Sequence, residues 1–329
     1  MSKTKKNIIE YLACPICMAN LERISNTKIE CKGLCKSLYS IDDEIPILLP
    51  QKLESFKQLE ADYHTKESEN FTDLNMKSSL RVTHYHDKYL RSFNHLKKDS
   101  VIIEVGCGDG IDASNLLNKG FVVIQSDISI GMVKMARINT NKNRLQKNSS
   151  YVVCDAEQLP CKEKSIDGIM IVAALHHLPS PKIFFQQVKK TLKPGGFLVI
   201  GFEPNKWPYF IFYPLLRYIS RAMKFRRYFK NIETSIGDME TEGFSKAELK
   251  KLLDSSGLEI VEIQRIWYLN GFIHTILTSL NSKISRGSPI DLPNWLQRII
   301  IHIDNFLSKI PFINNYCWHW SIIAKLPSN

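Results

Sequence analysis

Two sets of residues in this chain have the types and spacing to do chemistry. The first is Cys14-Pro-Ile-Cys17, thirteen intervening residues, then Cys31-Lys-Gly-Leu-Cys35. Each close pair fits a tight turn that aims both sulfurs at one point, and four thiolates suit one tetrahedral zinc or another soft metal. Such a set leaves no open coordination position, so Cys14, Cys17, Cys31 and Cys35 are expected to hold a structural ion. A segment of about 50 residues is too small to be held by a core alone, and a metal would supply folding free energy. The second set begins at Glu104-Val-Gly-Cys-Gly-Asp-Gly110. Its glycines allow a sharp turn and close approach of a ligand to a helix N-terminus. The spacing is Gly-x-Gly-x-Gly, which differs from the dinucleotide fingerprint Gly-x-Gly-x-x-Gly.

Acids follow at regular intervals. Asp127 ends the next β-rich run, where a carboxylate accepts two ribose hydroxyls. Asp155 ends the third run, placed with the Ala156 backbone to meet an adenine amino group. Either could instead be a turn cap. Glu104 lies inside the first run, where a lone carboxylate is costly to bury. It makes sense beneath a loop that needs orienting, or near a cationic group. His176 and His177 are weak candidates for a base near an acceptor; pocket wall is the commoner role for such a pair.

The elements that must position these residues alternate in type. Strands are expected at Val101–Val105, Phe121–Ser126, Tyr151–Cys154, Ile166–Val172 and Phe197–Phe202. Helical spacing occupies Leu80–Leu96, Ile111–Asn118, Gly131–Asn139 and Lys182–Leu192. That alternation predicts a parallel sheet with right-handed crossovers. Lys193-Pro-Gly-Gly196 reads as a turn. Phe244–Ser255 is expected to be a helix with Ser245 and Glu248 as a capping box and Gly257 as its stop. Leu258–Ile266 and His319–Ala324 are strand candidates, and 267–317 looks mainly helical. The resulting division is a four-cysteine module over 1–50, a linker or helical connection over 51–79, and an α/β domain over 80–329. Insertions are expected at about 203–243 and 267–317.

The bulk numbers agree with a folded protein. The chain has 329 residues, 44% apolar composition and a net charge of +11. The charge favours anionic partners and says nothing about fold. Met1 to Asn7 is polar and basic with no apolar run behind it, so a secretory leader is not expected. No charge-free stretch reaches the ~20 apolar residues of a spanning helix. Four clustered and four scattered cysteines argue for a reducing, cytoplasmic setting rather than a disulfide framework.

Two resemblances carry further. Ile9-Glu-Tyr-Leu-Ala-Cys-Pro-Ile-Cys17 and Tyr39-Ser-Ile-Asp-Asp-Glu-Ile-Pro-Ile-Leu-Leu-Pro50 resemble the small zinc-binding activator subunit of tRNA, rRNA and protein methyltransferases. In that family the domain is a partner and stabiliser, so the resemblance implies a docking role here. Residues 100–203 resemble the class I S-adenosylmethionine (SAM)-dependent methyltransferases, closest to the type 11 family of ubiquinone and menaquinone C-methyltransferases. The carrying segments are Glu104–Gly110, Ser126-Asp-Ile-Ser129, Cys154-Asp-Ala-Glu-Gln-Leu-Pro160, Ala174-Leu-His-His-Leu178 and Leu192-Lys-Pro-Gly-Gly-Phe197. The resemblance implies a Rossmann-like α/β fold with a seven-stranded mixed sheet, and SAM across its carboxyl edge. It implies cofactor contacts at Glu104, Gly106, Cys107, Gly108, Asp127, Ile128, Asp155, Ala156 and Ala173.

Methyl transfer from a sulfonium is an in-line displacement with an already activated leaving group. The protein's task is to align acceptor and methyl in a dry pocket. A base is required only for a hydroxyl, phenol or acidic carbon. Specificity is expected in the insertions. Trp207 to Phe229 holds Trp207, Tyr209, Phe210, Phe212, Tyr213, Tyr218, Phe225, Tyr228 and Phe229. Its cations are Arg217, Arg221, Lys224, Arg226 and Arg227. This stretch reads as a lid, as a membrane-surface element, or as an RNA-stacking surface. Asn294–Ser308 is an amphipathic helix suited to packing on the domain or across a dimer. The leading expectation is O- or C-methylation of a small, hydrophobic or lipid-linked acceptor. The alternatives are an RNA methyltransferase and a non-catalytic SAM-binding scaffold. The Asn/Asp-Pro-Pro-aromatic motif of base amine methylation is absent.

Overall fold

The structure is a computed structural model that describes residues 8–69, 79–208, 243–284 and 290–328. Apolar, β-branched runs form its centre. β5 (Val101–Val105) is buried at every residue, as a strand covered on both faces must be. Beside it lie β6 (Val122–Asp127), β7 (Ser149–Cys154), β8 (Ile166–Val172) and β9 (Leu192–Pro204). β7, β6, β5, β8 and β9 are parallel neighbours in that order. β11 (His319–Lys325) adds antiparallel to β9, and β10 (Glu259–Ile266) antiparallel to β11. These are the seven strands expected of the α/β domain.

The sheet as a whole has eleven strands, not seven. The N-terminal module forms a meander of β1 (Leu21–Arg23), β2 (Lys28–Cys31), β3 (Leu38–Asp42) and β4 (Ile45–Leu48). β4 then pairs parallel with β7, Ile47 beside Val153 and Leu48 beside Cys154. An unpaired β7 edge would expose a row of backbone donors and acceptors, and the module closes it. A second contact, the bridge of Leu12 to Cys161, ties the module to the loop after β7. Leu12, Cys14, Ile29 and Leu48 share one core with Ile103, Cys154 and Ile169.

Helices cover the two faces. α1 (Ser55–Ser68) occupies the 51–79 connection, followed by α2 (Leu80–Leu90). α3 (Ile111–Asn118), α4 (Ile130–Lys142) and α5 (Pro181–Thr191) are the crossovers. α6 (Lys246–Ser255) starts at the expected capping box. Ser245 Oγ accepts the Glu248 N–H at 3.3 Å and Glu248 Oε2 accepts the Ser245 N–H at 2.7 Å. Gly257 follows at φ +71°, a left-handed stop.

α7 (Leu269–Ile284) and α8 (Asn294–Leu307) make up the helical 267–317 region. They are joined by Asp304, whose buried carboxylate accepts the N–H groups of Tyr268, Leu269 and Asn270 at 3.1, 2.9 and 3.3 Å. A side chain on α8 thus caps the start of α7. Of the 203–243 insertion, residues 209–242 lie outside the described residues, and with them most of the aromatic and basic stretch from Trp207 to Phe229. Among the described residues, no helix is long and apolar enough to cross a membrane.

Candidate functional site

The carboxyl ends of β5, β6, β7 and β8 open on a cavity of about 250 Å³. Its floor is the loop after β5. Gly106, Gly108 and Gly110 have φ of +69°, +49° and +76°, which side chains rarely adopt. At Gly106 a Cβ would come within 2.7 Å of Ala174 Cβ, while at Gly108 it would stand in open space. The first glycine is demanded by packing, and the second leaves a bare backbone facing the cavity.

Asp127 locks this loop. Its Oδ2 accepts the Gly108 N–H at 3.1 Å and its Oδ1 the Ser129 N–H at 2.9 Å. Burial pushes the carboxyl up, and the N–H groups of Ser129 and Gly108 only partly oppose that. Ile128, Ala156 and Ala173 line the same space. Ala173 adopts φ +48° and donates its N–H to Gly201 O at 2.8 Å, so the chain turns sharply off β8.

Two expected contacts stand behind the loop. Cys107 donates its N–H to Ser126 O at 2.9 Å, and its side chain packs with Val133, Ala136, Tyr151 and Val153. Glu104 is 2% exposed, and its Oε2 is buried without a hydrogen-bond partner. Burial, reinforced by Asp112, Asp109 and Asp127, pushes its carboxyl well above the ordinary range. A carboxylate so placed fits a site that receives a cationic group.

Asp155 is both a cap and a cavity wall. Its Oδ1 accepts the Glu157 N–H at 2.8 Å, and its Oδ2 meets Lys57 Nζ at 2.7 Å. Lys57, from α1, also meets Glu157 at 2.7 Å. All three side chains are nearly buried. Burial lowers the Lys57 pKa, but hydrogen bonds to the two acids outweigh it and hold the pKa above its usual value. Glu157 in turn accepts the Ser180 N–H at 2.5 Å, at the start of α5.

Sequence reasoning allowed a helical connection over 51–79 but gave it no part in the site. Phe56, Lys57, Glu60, His64 and Glu67 all line the cavity. Lys57, Glu60, His64 and Glu67 sit at i, i+3, i+7 and i+10, one face of a helix. That spacing was the available signal; it is charged rather than apolar, so it does not read as a buried face. α1 is pinned on α4 by Thr65 Oγ1 to Ser129 Oγ at 2.9 Å. At Gly131 a Cβ would meet Ser68 Oγ at 2.3 Å and the Thr65 backbone at 2.9 Å, so glycine allows the close approach.

The two histidines divide. His177 lines the cavity and its Nδ1 lies 2.9 Å from Glu60 Oε2. His176 lies behind, with Nδ1 3.0 Å from Glu203 Oε2. Glu203, fully buried at the end of β9, also accepts the N–H groups of Ala174, Leu175 and His176 at 2.9, 2.8 and 3.2 Å. It fixes the loop that presents Ala173 and His177.

A cavity at the switch edge of a parallel sheet, a glycine loop and acids ending successive strands are the features expected of an adenosine-type cofactor site. Comparison with known proteins decides its class. Residues 103–200 match the methyltransferase domain family. This chain carries a SAM-dependent methyltransferase domain.

The ubiquinone biosynthesis O-methyltransferase of Rickettsia typhi is 23% identical over 266 residues, covering 79% of this chain and 98% of that protein. The sterol 24-C-methyltransferase of Pneumocystis carinii is 23% identical over 237 residues, covering 69% and 60%. Two solved structures share the fold. The Haemonchus contortus phosphoethanolamine N-methyltransferase 2 bound to SAM aligns with TM-score 0.54 at 16% identity, over 85% of this chain and 61% of that one. This chain therefore spans about three fifths of that neighbour. The [4+2]-cyclase SpnF aligns with TM-score 0.54 at 14% identity, over 83% and 97%. Fold likeness at this level leaves the chemistry to the site.

The four cysteines also come together. Cys14–Cys35, Cys17–Cys31 and Cys17–Cys35 sulfurs stand 3.5, 3.4 and 3.4 Å apart, and none forms a disulfide. Bonds of about 2.3 Å in a tetrahedron put sulfurs roughly 3.8 Å apart, so the cluster is close to the required size. A Cβ at Gly33 would lie 2.9 Å from Cys17 Sγ, so the chain wraps tightly against the cluster. The Gly33 N–H reaches Cys31 Sγ at 3.3 Å, a contact suited to a thiolate.

Proposed function

We propose that the enzyme O-methylates a hydroxyl on a small hydrophobic or lipid-linked acceptor. The observation that carries this reading is the imidazole–carboxylate group on the cavity wall, His177 against Glu60. A hydroxyl or phenol acceptor must lose a proton, and this pair is the cavity's means of receiving one. The wall beside it is largely apolar, through Phe56, Ile171, Val172 and Leu178. The relatives named for ubiquinone and sterol methylation lend support from outside the chain.

In this reading SAM supplies an electrophilic methyl group. Asp127 would hold the ribose, Asp155 with Ala156 the adenine, and the backbone at Gly106 and Gly108 the amino-acid portion. Glu104 would answer the ammonium from beneath the loop. Lys57 holds Asp155 in place, and α1 excludes water from the reacting atoms.

The N-terminal module is proposed to bind zinc through Cys14, Cys17, Cys31 and Cys35 and to act as an activator built into its own client. Its pairing with β7 and the α1 that follows it support this role. Cys14→Ser should release the metal and lower the melting temperature; unchanged metal content would remove the four-thiolate assignment.

The decisive assay for the acceptor is conversion of SAM to S-adenosylhomocysteine with an isoprenoid-tailed phenol, alongside a transfer-RNA pool. Turnover confined to the phenol supports the reading. Turnover on RNA alone would overturn it in favour of the RNA alternative, and binding without turnover on any acceptor would point to a scaffold.

A further inference from the structure

The cavity wall holds a group that cofactor binding does not use. Glu60 and His64 sit four residues apart on α1, and His177 faces them from the turn after β8. One ligand atom from each lies within 4.8 Å of the others. Glu60 Oε2 is 2.9 Å from His177 Nδ1 and 3.5 Å from His64 Nε2. Tetrahedral bonds of about 2.0–2.1 Å set ligand atoms roughly 3.3 Å apart, so this triangle needs little adjustment to take an ion. We propose that Glu60, His64 and His177 bind a divalent cation that stays open to the cavity.

The surroundings are those of a metal site. Glu67 Oε2 lies 2.8 Å from His64 Nδ1, one helical turn along. A carboxylate on the far nitrogen fixes the ring and leaves Nε2 to the ion, the usual outer support of a metal-bound histidine. Two carboxylates, Glu60 and Glu67, face the two imidazoles. Lys57, which lines the same cavity, is already committed to Asp155 and Glu157. A divalent cation would balance the two carboxylates that meet here.

Three protein ligands of the two-histidine, one-carboxylate kind leave coordination positions open, unlike the four thiolates. Those positions face the cavity that His64, Glu60 and His177 line. The ligand class is an acceptor oxygen. Its hydroxyl would lose a proton more easily on binding the cation, because the positive charge favours the alkoxide or phenolate; the proton would pass to bulk water, and the cation would replace the His177–Glu60 pair as the means of activation. This use of the cation rests on the O-methylation reading; cation binding itself does not.

The test is Co²⁺ binding to the full-length protein after its resident metal has been measured. Equilibrium dialysis should show one added equivalent without thiolate-to-cobalt charge-transfer absorption, which separates it from the cysteine cluster. Glu60→Gln and His177→Gln should each weaken that equivalent at least tenfold, with S-adenosylhomocysteine binding and circular dichroism confirming the fold. Glu67→Gln removes no ligand but frees the His64 ring it holds, and should still weaken it about tenfold. Uptake only with thiolate absorption, or uptake indifferent to all three substitutions, would overturn the site. Methyl transfer with no such uptake would overturn the site alone. Uptake without turnover on hydroxyl acceptors would uphold the site and overturn the acceptor reading.

Discussion

The floor and the cover of the cofactor cavity follow different rules. The floor is a set of strand ends whose side chains are apolar below and whose backbone is exposed above. Gly106, Gly108 and Asp127 do their work through backbone geometry and N–H groups held at about hydrogen-bond distance. The cover, α1, offers the cavity Lys57, Glu60, His64 and Glu67, and is held by ion pairs. A floor of that kind is a fixed platform. A cover of that kind depends on every charge having its partner, since an unpaired buried charge is costly.

The largest effect on cofactor affinity belongs to the floor. Asp127→Ala should weaken SAM binding at least 100-fold in calorimetric titration while the circular dichroism spectrum stays native. Retained tight binding would show that the loop, and not the carboxylate, carries the affinity.

Next comes the cover. Lys57→Met leaves Asp155 and Glu157 buried against each other and should cost about 3–5 kcal/mol in denaturant unfolding. A loss below about 1 kcal/mol would mean that solvent reaches the pair, and that the cover is looser than the floor.

The seam between them gives a smaller effect. Gly131→Ala pushes a methyl into Thr65 and Ser68 and should cost about 1–3 kcal/mol. It should also weaken SAM binding several-fold, because α1 is lifted while the floor is left alone. An unchanged affinity would separate α1 from cofactor binding.

The smallest change is Glu104→Gln. Burial keeps this carboxyl protonated above its ordinary range. A raised folded-state pKa means that the native state binds the extra proton. Stability from this group is therefore present at low pH and falls as pH rises from the unfolded value toward the folded one. The glutamine should change stability by about 1 kcal/mol or less at pH 5 and should flatten the decline toward pH 8 in melting curves. A steeper decline in the variant would mean that the carboxylate is charged in the native state.

How much of this was legible depended on which rule each part follows. β5 through β9, the capping box at Ser245 and Glu248, and the glycine loop all carry local signals. Periodicity, turn chemistry and left-handed backbone demands operate within a few residues. The seven strands of the α/β domain were legible for that reason. The eleven-strand sheet was not, because the pairing of β4 with β7 joins residues about a hundred apart and leaves no local trace. α1 showed no apolar stripe, since its buried face is made of charges that find their partners just after β7 and after β8. Glu203 was likewise hidden. Nothing near it in sequence announces that it will collect three N–H groups from the turn after β8.

The sequence alone thus determined the class of fold, a glycine loop flanked by Asp127 and Asp155, and a four-cysteine cluster. Each is encoded by residues close together in the chain or by a fixed order of strands. Tertiary structure decided that the N-terminal module extends the catalytic sheet and that α1 closes the cavity. It also brought Glu60, His64 and His177 to one point. Buried charges and edge pairings are stable only with distant partners, so their meaning exists only in the folded chain.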